Sequence, residues 1–322
     1  MSEETLTTGA NGTVSDELRG ALQRCDQALS SSAPVLRHLV ANSESSLFHE
    51  EVLARVRGML DHLGTQMLRR YLDTAGHAND EPIPLDRLDA LVTALAEDQD
   101  LLSHLHALSI EWRLAQRFAE RRSTELVLTP LVKELVGSDK PETARLAMAF
   151  LTAQARFAQH ARRMQVELGE LPGELLNFCL TSLRKAVDRQ ADSRRHVQLA
   201  IRSVQDSYDE GHTRHGVGNL LVYDDATRDA ALDPEQAGIA LFVTALARAS
   251  GVSRDNATLG VAEGQAPRLG LMLRAAGRDR QQVERTVLLI HPDARLPEGL
   301  GEIDQHSALK LLGGNARGVA GK

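Results

Sequence analysis

Two histidines and two carboxylates lie close together in one short segment of the chain. Asp209, Glu210, His212 and His215 supply the nitrogen and oxygen ligands that transition metals bind, so this segment is a candidate metal site. Arg214 lies between the two histidines, and its positive charge would repel a cation. The neighbouring glycines favour a flexible loop. Two hypotheses follow: a metal- or anion-dependent enzyme that uses His212 and His215, or an ordinary exposed loop.

Positive and negative charges are segregated along the sequence. Residues 73–100 include eight acidic side chains and one basic one, whereas residues 143–203 include ten basic and five acidic side chains. These two segments could neutralise each other within the fold or form solvated faces. Alternatively, the basic segment forms a groove for an acidic protein surface, a phosphate-bearing ligand or RNA.

Six residues are the candidates for this basic groove. Three of them recur at i, i+4 and i+7 on a predicted helix and three form a second cluster: Arg156, His160 and Arg163, then Arg194, Arg195 and Arg202. Aromatic residues make up only 3% of the chain, so the stacking platforms used for single-stranded nucleic acid are scarce, and the net charge is −7. We therefore expect a protein partner with an acidic surface or a small anion, and nucleic-acid binding is a second alternative.

Other residues with reactive side chains favour structural roles. Asp100 and His104 are one helical turn apart, which is typical of an exposed pair on an amphipathic helix. Cys25 and Cys179 are far apart and outside any CxxC motif; Cys179 falls in an apolar helical stretch, which predicts a buried thiol. The chain has no GxGxxG, P-loop, HExxH or GxSxG motif. We therefore expect no cofactor and lean towards a non-enzymatic role.

Helices must position all of these residues, because the apolar content is mainly Leu, Ala and Val with few β-branched runs. The clearest helical stripe has apolar residues three and four positions apart: Val52, Leu53, Val56, Met59, Leu60, Leu63, Met67, Leu68, Tyr71 and Leu72. The sequence therefore predicts an all-α fold, a helical bundle or an array of αα-hairpins.

The composition changes several times along the chain and suggests five segments. We predict a disordered polar tail (1–13), a helical domain (14–208), a connector rich in glycine and histidine (209–233), a region of helical-hairpin repeats (234–292) and a flexible glycine-rich tail (293–322).

An internal repeat with an offset of 26 residues supports the repeat region. Six positions of the first copy correspond to six of the second: Arg248, Ala249, Gly251, Arg254, Ala257 and Val261 to Arg274, Ala275, Gly277, Arg280, Val283 and Val287. Each copy reads as a helix, a glycine just past its end, a capping residue (Ser253 or Asp279) and a second helix. Two stacked αα-hairpins in the manner of HEAT-like solenoids would give this pattern.

The stretch at 238–292 resembles a bacterial family of helical-repeat, HEAT-like proteins with no assigned function, and the stretch LTPLVKELVGSDKPETARLAMAFLTAQARF at 128–157 is similar in style. The resemblance rests on small residues and on leucine spacing. It implies a helical-repeat fold and supplies no catalytic residues.

Together these patterns favour a non-enzymatic interaction or adaptor module whose helical surfaces receive an acidic partner or an anion. The polar, acidic N-terminal sequence does not resemble a signal peptide, and no apolar run approaches the ~20 residues needed to span a bilayer. We therefore expect a cytoplasmic protein without membrane insertion, in which homo-oligomers are possible.

Overall fold

The computed structural model describes residues 8–41, 50–77, 81–187 and 191–313, and within them the chain is helical without any strand, as predicted. The α-helices are α1 (Thr8–Ala41), α2 (Glu50–Thr74), α3 (Leu85–Leu95), α4 (Gln99–Arg122), α5 (Pro130–Val136), α6 (Pro141–Arg162), α7 (Gly173–Val187), α8 (Ala191–Ser207), α9 (Arg214–Leu221), α10 (Asp225–Ala231), α11 (Pro234–Ser250), α12 (Arg254–Gly260), α13 (Ala266–Ala275), α14 (Arg280–Ile290) and α15 (Gln305–Leu311). Short 3-10 helices cover Leu168–Glu170, Glu210–His212 and Leu300–Glu302. None of the described helices has the length and apolar character needed to cross a membrane.

The chain divides into two compact units that interleave along the sequence. Unit A comprises Met1–Ser31, Arg113–Gly137 and Asn219–Lys322, and unit B comprises Ser32–Trp112 and Ser138–Gly218. One change of unit, after Gly218, falls within the segment 209–233 that we predicted as a boundary. The predicted separate domains at 14–208 and 234–292 stay a prediction.

Unit B contains a bundle in which α2 packs against α3, α7 and α8. The apolar stripe predicted on α2 is buried along its whole length, from Val52 to Leu72. On α7, Cys179 is buried among leucines as expected, and burial raises the pKa of its thiol to about 12. The periodicity of apolar residues was sufficient to predict burial in this bundle, because each helix buries one continuous face.

The exposed pair predicted on α4 is wrong. His104 is only 1% exposed, and His106, Ser109 and Glu111 are buried beside it. From Leu101 to Trp112 almost every side chain of α4 is buried, so this part of the helix has no solvent-facing side. Polar residues four positions apart occur both on amphipathic helices and on helices that are buried on all sides. Their spacing alone therefore does not show whether such residues are exposed.

Unit A is arranged around α11, which packs against α5, α10, α12 and α13, while α13 also contacts α14 and α15. Gly251 ends α11 with a left-handed backbone (φ 72°), and Ser253 caps α12. In the second copy, Gly277 has φ 82°, and Asp279 caps α14. The predicted order of helix, glycine, cap and helix is thus present twice, and the HEAT-like stacking stays a prediction.

Three local predictions were wrong. The segment 209–233 is not a loop, because Asp209–Thr213 forms a 3-10 turn with its caps and α9 and α10 follow. The predicted tail at 293–322 contains α15, with Leu300 and Ala308 buried. Residues 8–13 belong to α1, which continues without interruption through Ser30–Ser32; the hydroxyls of Ser30 and Ser31 donate to carbonyls three residues back. Residues 1–7 and 314–322 of the predicted tails lie outside the described residues.

Candidate functional site

Unit B contains a cavity of about 660 Å³, a volume typical of small-molecule sites. Four parts of the unit line it: one face of α2, the second half of α6, residues 165–170 and the segment from the end of α8 to the beginning of α9. Residues 165–170 are called the strap below. Leu108 of α4 adds an apolar contribution to the lining.

The α2 face of the cavity presents Gln66, Arg69, Arg70 and Asp73, which recur at i, i+3, i+4 and i+7. Nη1 of Arg69 donates to the carbonyl oxygen of Glu81 at 2.8 Å, and Nη1 of Arg70 lies 3.4 Å from the hydroxyl of Ser203. Neither guanidinium forms an ion pair with a carboxylate among the described residues. With Asp73 on the same face, the two arginines therefore bring an excess of one positive charge to this part of the cavity.

The strap is fixed to α2 by the side-chain amide of Gln66. Its Nε2 donates to the carbonyl of Val166 at 2.8 Å, and its Oε1 accepts the amide N–H of Leu168 at 3.2 Å. Gly58 permits the close approach, because a Cβ there would lie 2.8 Å from the backbone oxygen of Met164. Met164 itself has φ 58°, so the chain turns sharply after α6 and returns across α2.

Helix α6 contributes Arg156, Phe157 and His160 to the cavity. The guanidinium of Arg156 lies 3.9 Å from a carboxylate oxygen of Glu170, and Nε2 of His160 lies 3.1 Å from a carboxylate oxygen of Glu167. Both carboxylates belong to the strap, so each basic group of α6 in the cavity already faces an acidic one.

A buried ion pair lies beneath the cavity. The guanidinium of Arg214 donates to both carboxylate oxygens of Glu111, at 2.5 and 3.0 Å, and also to Oε1 of Gln154 at 3.1 Å. Its carbon atom Cζ lies 3.8 Å from the centroid of the Phe157 ring. The side chains of Arg214 and Glu111 are 3% and 1% exposed. Such a pair is costly to break, since either partner alone would be a buried, uncompensated charge.

The same arginine fixes the beginning of α9. Its backbone N–H donates to the carboxylate of Glu170 at 2.8 Å, and its guanidinium donates to Nε2 of His215 at 2.8 Å. Because a guanidinium has no acceptor, Nε2 of His215 must be unprotonated in this arrangement. The His215 ring also meets the ring of His104 edge-on, with centroids 5.8 Å apart.

Tyr208 lies in a part of the cavity where carboxylates are concentrated. Its hydroxyl donates to the carbonyl of Leu171 at 2.9 Å. Burial first, and then the nearby carboxylates of Glu210, Asp209 and Glu170, raise the pKa of Tyr208 to about 12. The phenol therefore stays protonated at physiological pH and acts as a hydrogen-bond donor.

The structure divides the six residues predicted for one basic groove. Arg156 and His160 line the cavity, whereas Arg163, Arg194, Arg195 and Arg202 do not. Helix α6 ends at Arg162, so the helical spacing that would place Arg163 beside Arg156 stops one residue too early. The other three arginines are exposed on α8.

The two candidate metal ligands, His212 and His215, both line the cavity. Nδ1 of His212 lies 2.7 Å from the carboxylate of Asp209, and the His212 side chain is 73% exposed. Within the described ranges, no three His, Cys, Asp or Glu side chains are grouped so that they could hold a metal ion. The metal-dependent enzyme remains a hypothesis, which metal analysis of the purified protein would test.

The residues that organise the cavity are not among those predicted from the sequence. The α2 face could have been found, because Gln66, Arg69, Arg70 and Asp73 form a polar stripe with the same helical period as the apolar one. Glu111 and Arg214 gave no comparable signal, since they are 103 residues apart in sequence.

No family model, curated protein or solved structure matches the chain. The resemblance of 238–292 to helical-repeat proteins therefore stays a prediction.

Proposed function

We propose that unit B binds a small anionic ligand in its cavity, with Arg69 and Arg70 as the principal contacts to the anion. One observation supports this most directly: both guanidiniums line the cavity without a carboxylate partner among the described residues. Guanidinium groups form strong, forked hydrogen bonds with carboxylates and phosphates. The interactions that they now make, with a carbonyl and a hydroxyl oxygen, are neutral and easily exchanged for an anion.

The other basic groups of the cavity are less available. Arg214 is held by Glu111, Arg156 faces Glu170, and His160 faces Glu167. An incoming anion would have to compete with a carboxylate for each of these groups. The α2 face therefore offers the most favourable position for a negative charge.

The size of the cavity favours a small molecule over a macromolecular surface. A sphere of 660 Å³ is about 11 Å across, which accommodates a ligand of metabolite size. The walls formed by α2, α6 and the strap shield one side of a bound anion from solvent, and this strengthens its interaction with the arginines. A small anion was one of the two partners expected from the sequence.

Calorimetric titration with inorganic phosphate tests the proposal. The variant Arg69→Gln/Arg70→Gln should bind phosphate at least ~10-fold more weakly than wild type, because charge-assisted hydrogen bonds are lost from two guanidiniums. The control Arg195→Gln/Arg202→Gln removes the same charge from exposed positions on α8 outside the cavity and should keep wild-type affinity. Equal losses in both variants would show only a general charge effect and would contradict the proposal.

A second candidate function uses the exposed surface of α8. Arg195, Leu199 and Arg202 recur at i, i+4 and i+7, and Leu199 is 44% exposed, so an apolar side chain lies between two arginines. This stripe suits an acidic protein partner, as in the adaptor role expected from the sequence. Affinity capture from the native cell should then lose specific partners with Arg195→Glu/Arg202→Glu and retain them with Arg69→Gln/Arg70→Gln. Cell fractionation would test the expected cytoplasmic location.

A further inference from the structure

Charge is distributed unevenly around the cavity. The α2 face carries Arg69, Arg70 and Asp73, so positive charge is in excess there. Elsewhere in the lining the balance is reversed: three carboxylates, from Glu167, Glu170 and Asp209, accompany one arginine, Arg156, while the charge of Arg214 is neutralised by Glu111. The cavity therefore has a basic part and an acidic part.

Two of these carboxylates are available to a ligand. Among the described residues, neither Glu167 nor Asp209 has an arginine or lysine within ion-pair distance. Glu167 lies 3.1 Å from His160, and Asp209 lies 2.7 Å from His212 and accepts the backbone N–H of Gly211 at 2.9 Å. Glu170 differs from both, because it faces the permanently charged guanidinium of Arg156 at 3.9 Å and also accepts the backbone N–H of Arg214. Glu167 and Asp209 are thus the acidic counterpart of Arg69 and Arg70.

The phenol of Tyr208 lies beside these carboxylates and responds to their charge. The pKa of the Tyr208 phenol is raised by burial and by three surrounding carboxylates, which oppose a further negative charge there. If a ligand carried an anionic group at both ends, the end that does not contact the arginines would be repelled by these carboxylates. A ligand with a positive group at that end would be attracted instead.

We infer that the ligand is a small zwitterion, whose anionic group contacts Arg69 and Arg70 and whose ammonium group contacts the carboxylates of Glu167 and Asp209. This inference rests on the proposed function and adds the chemical class of the ligand. Amino acids and aminoalkyl phosphonates or phosphates belong to this class, and the shared feature is one anionic and one ammonium group separated by a short carbon chain.

Matched pairs of phosphonates test the inference by calorimetry at pH 8 with the full-length chain. Ethylphosphonate is compared with 2-aminoethylphosphonate, and propylphosphonate with 3-aminopropylphosphonate, so that each pair differs only in the amino group. We expect the amino compound of at least one pair to bind ~10-fold more tightly or better. The variant Glu167→Gln/Asp209→Asn should reduce that affinity to the level of the alkylphosphonate and should not weaken alkylphosphonate binding.

The control variant Glu97→Gln/Asp206→Asn removes two exposed carboxylates of unit B that do not line the cavity, and it should retain the preference for the amino compounds. Equal or weaker binding of both amino compounds would overturn the zwitterion inference and leave the proposed anion site intact. A lack of binding by all four compounds and by phosphate would overturn the proposed function itself.

Discussion

The two units place different chemistry in their interiors. In unit A, α11 is buried from Ile239 to Ala247, and its buried hydroxyls, Thr244 and Ser250, donate to carbonyls of their own helix at 2.9 and 2.6 Å. In unit B, the buried part of α4 carries His104, His106 and Glu111. Burial of titratable groups opposes folding unless they are paired, so the interior of unit B carries an energetic cost that the interior of α11 does not.

The ion pairs of the units differ in the same way. In unit A, Glu263 is 72% exposed and lies 3.1 Å from Arg117 and 3.6 Å from Arg113. Exposed pairs of this kind contribute at most about 1 kcal/mol. The pair between Glu111 and Arg214 in unit B is almost completely buried, and Arg214 is the first residue of α9. Removing the buried pair should therefore lower the free energy of unfolding more than removing the exposed pair.

The largest difference is expected for Glu111→Leu, which leaves the guanidinium of Arg214 buried without its carboxylate. The free energy of unfolding should fall by about 3–5 kcal/mol, as measured by urea denaturation. Glu263→Gln in unit A is the matched control and should cost less than about 1 kcal/mol. The double variant Glu111→Leu/Arg214→Met should recover much of the loss. If Glu111→Leu lowered the free energy of unfolding by less than about 1 kcal/mol, the ion pairs of the two units would not differ in their contribution to stability.

A pH-dependent effect of intermediate size is expected from His106. Burial lowers the pKa of His106 from 6.5 to about 4. Between these pH values the unfolded chain binds a proton that the folded protein does not, so stability falls as the pH falls from 6.5 to 4, by about 3 kcal/mol in total.

Urea denaturation at pH 7 and pH 4 measures this loss. His106→Gln should reduce it, whereas His212→Gln at an exposed position should not. Burial also lowers the pKa of His291 in unit A, so His291 likewise makes the stability fall as the pH falls. Its effect is measured with a separate variant, His291→Gln. An unchanged pH dependence in His106→Gln would contradict the prediction.

The smallest of these effects concerns the strap. Gln66→Ala removes a hydrogen bond to each of two backbone groups, the carbonyl of Val166 and the N–H of Leu168, and should lower the free energy of unfolding by about 1–3 kcal/mol. Hydrogen exchange at the amide of Leu168 should accelerate, and phosphate affinity should fall because the cavity wall loosens. Gln198→Ala, at an exposed position on α8, should leave both measurements unchanged. Unaltered exchange at Leu168 would show that Gln66 does not fix the strap.

The features that the sequence predicted well depend on neighbours within one helix. The α2 stripe from Val52 to Leu72 is an example, because a fixed period of 3.6 residues relates spacing directly to burial. The cavity depends on contacts across the sequence, such as those of Arg214 with Gln154 and Glu111, 60 and 103 residues away. No local spacing encodes such pairs.

Glycine was the other source of error. We interpreted Gly216 as a sign of a flexible loop, whereas the structure needs glycine there for close approach. A Cβ at this position would lie 2.1 Å from the carbonyl oxygen of Glu210, and the residue belongs to α9. Composition alone does not distinguish a glycine required by packing from one that confers flexibility.

The most direct test of the account is a crystal structure of the protein grown with ethylphosphonate. The account predicts one phosphonate in the cavity of unit B, within hydrogen-bonding distance of the guanidiniums of Arg69 and Arg70. Phosphonate bound only at the exposed arginines of α8, with none in the cavity, would contradict it.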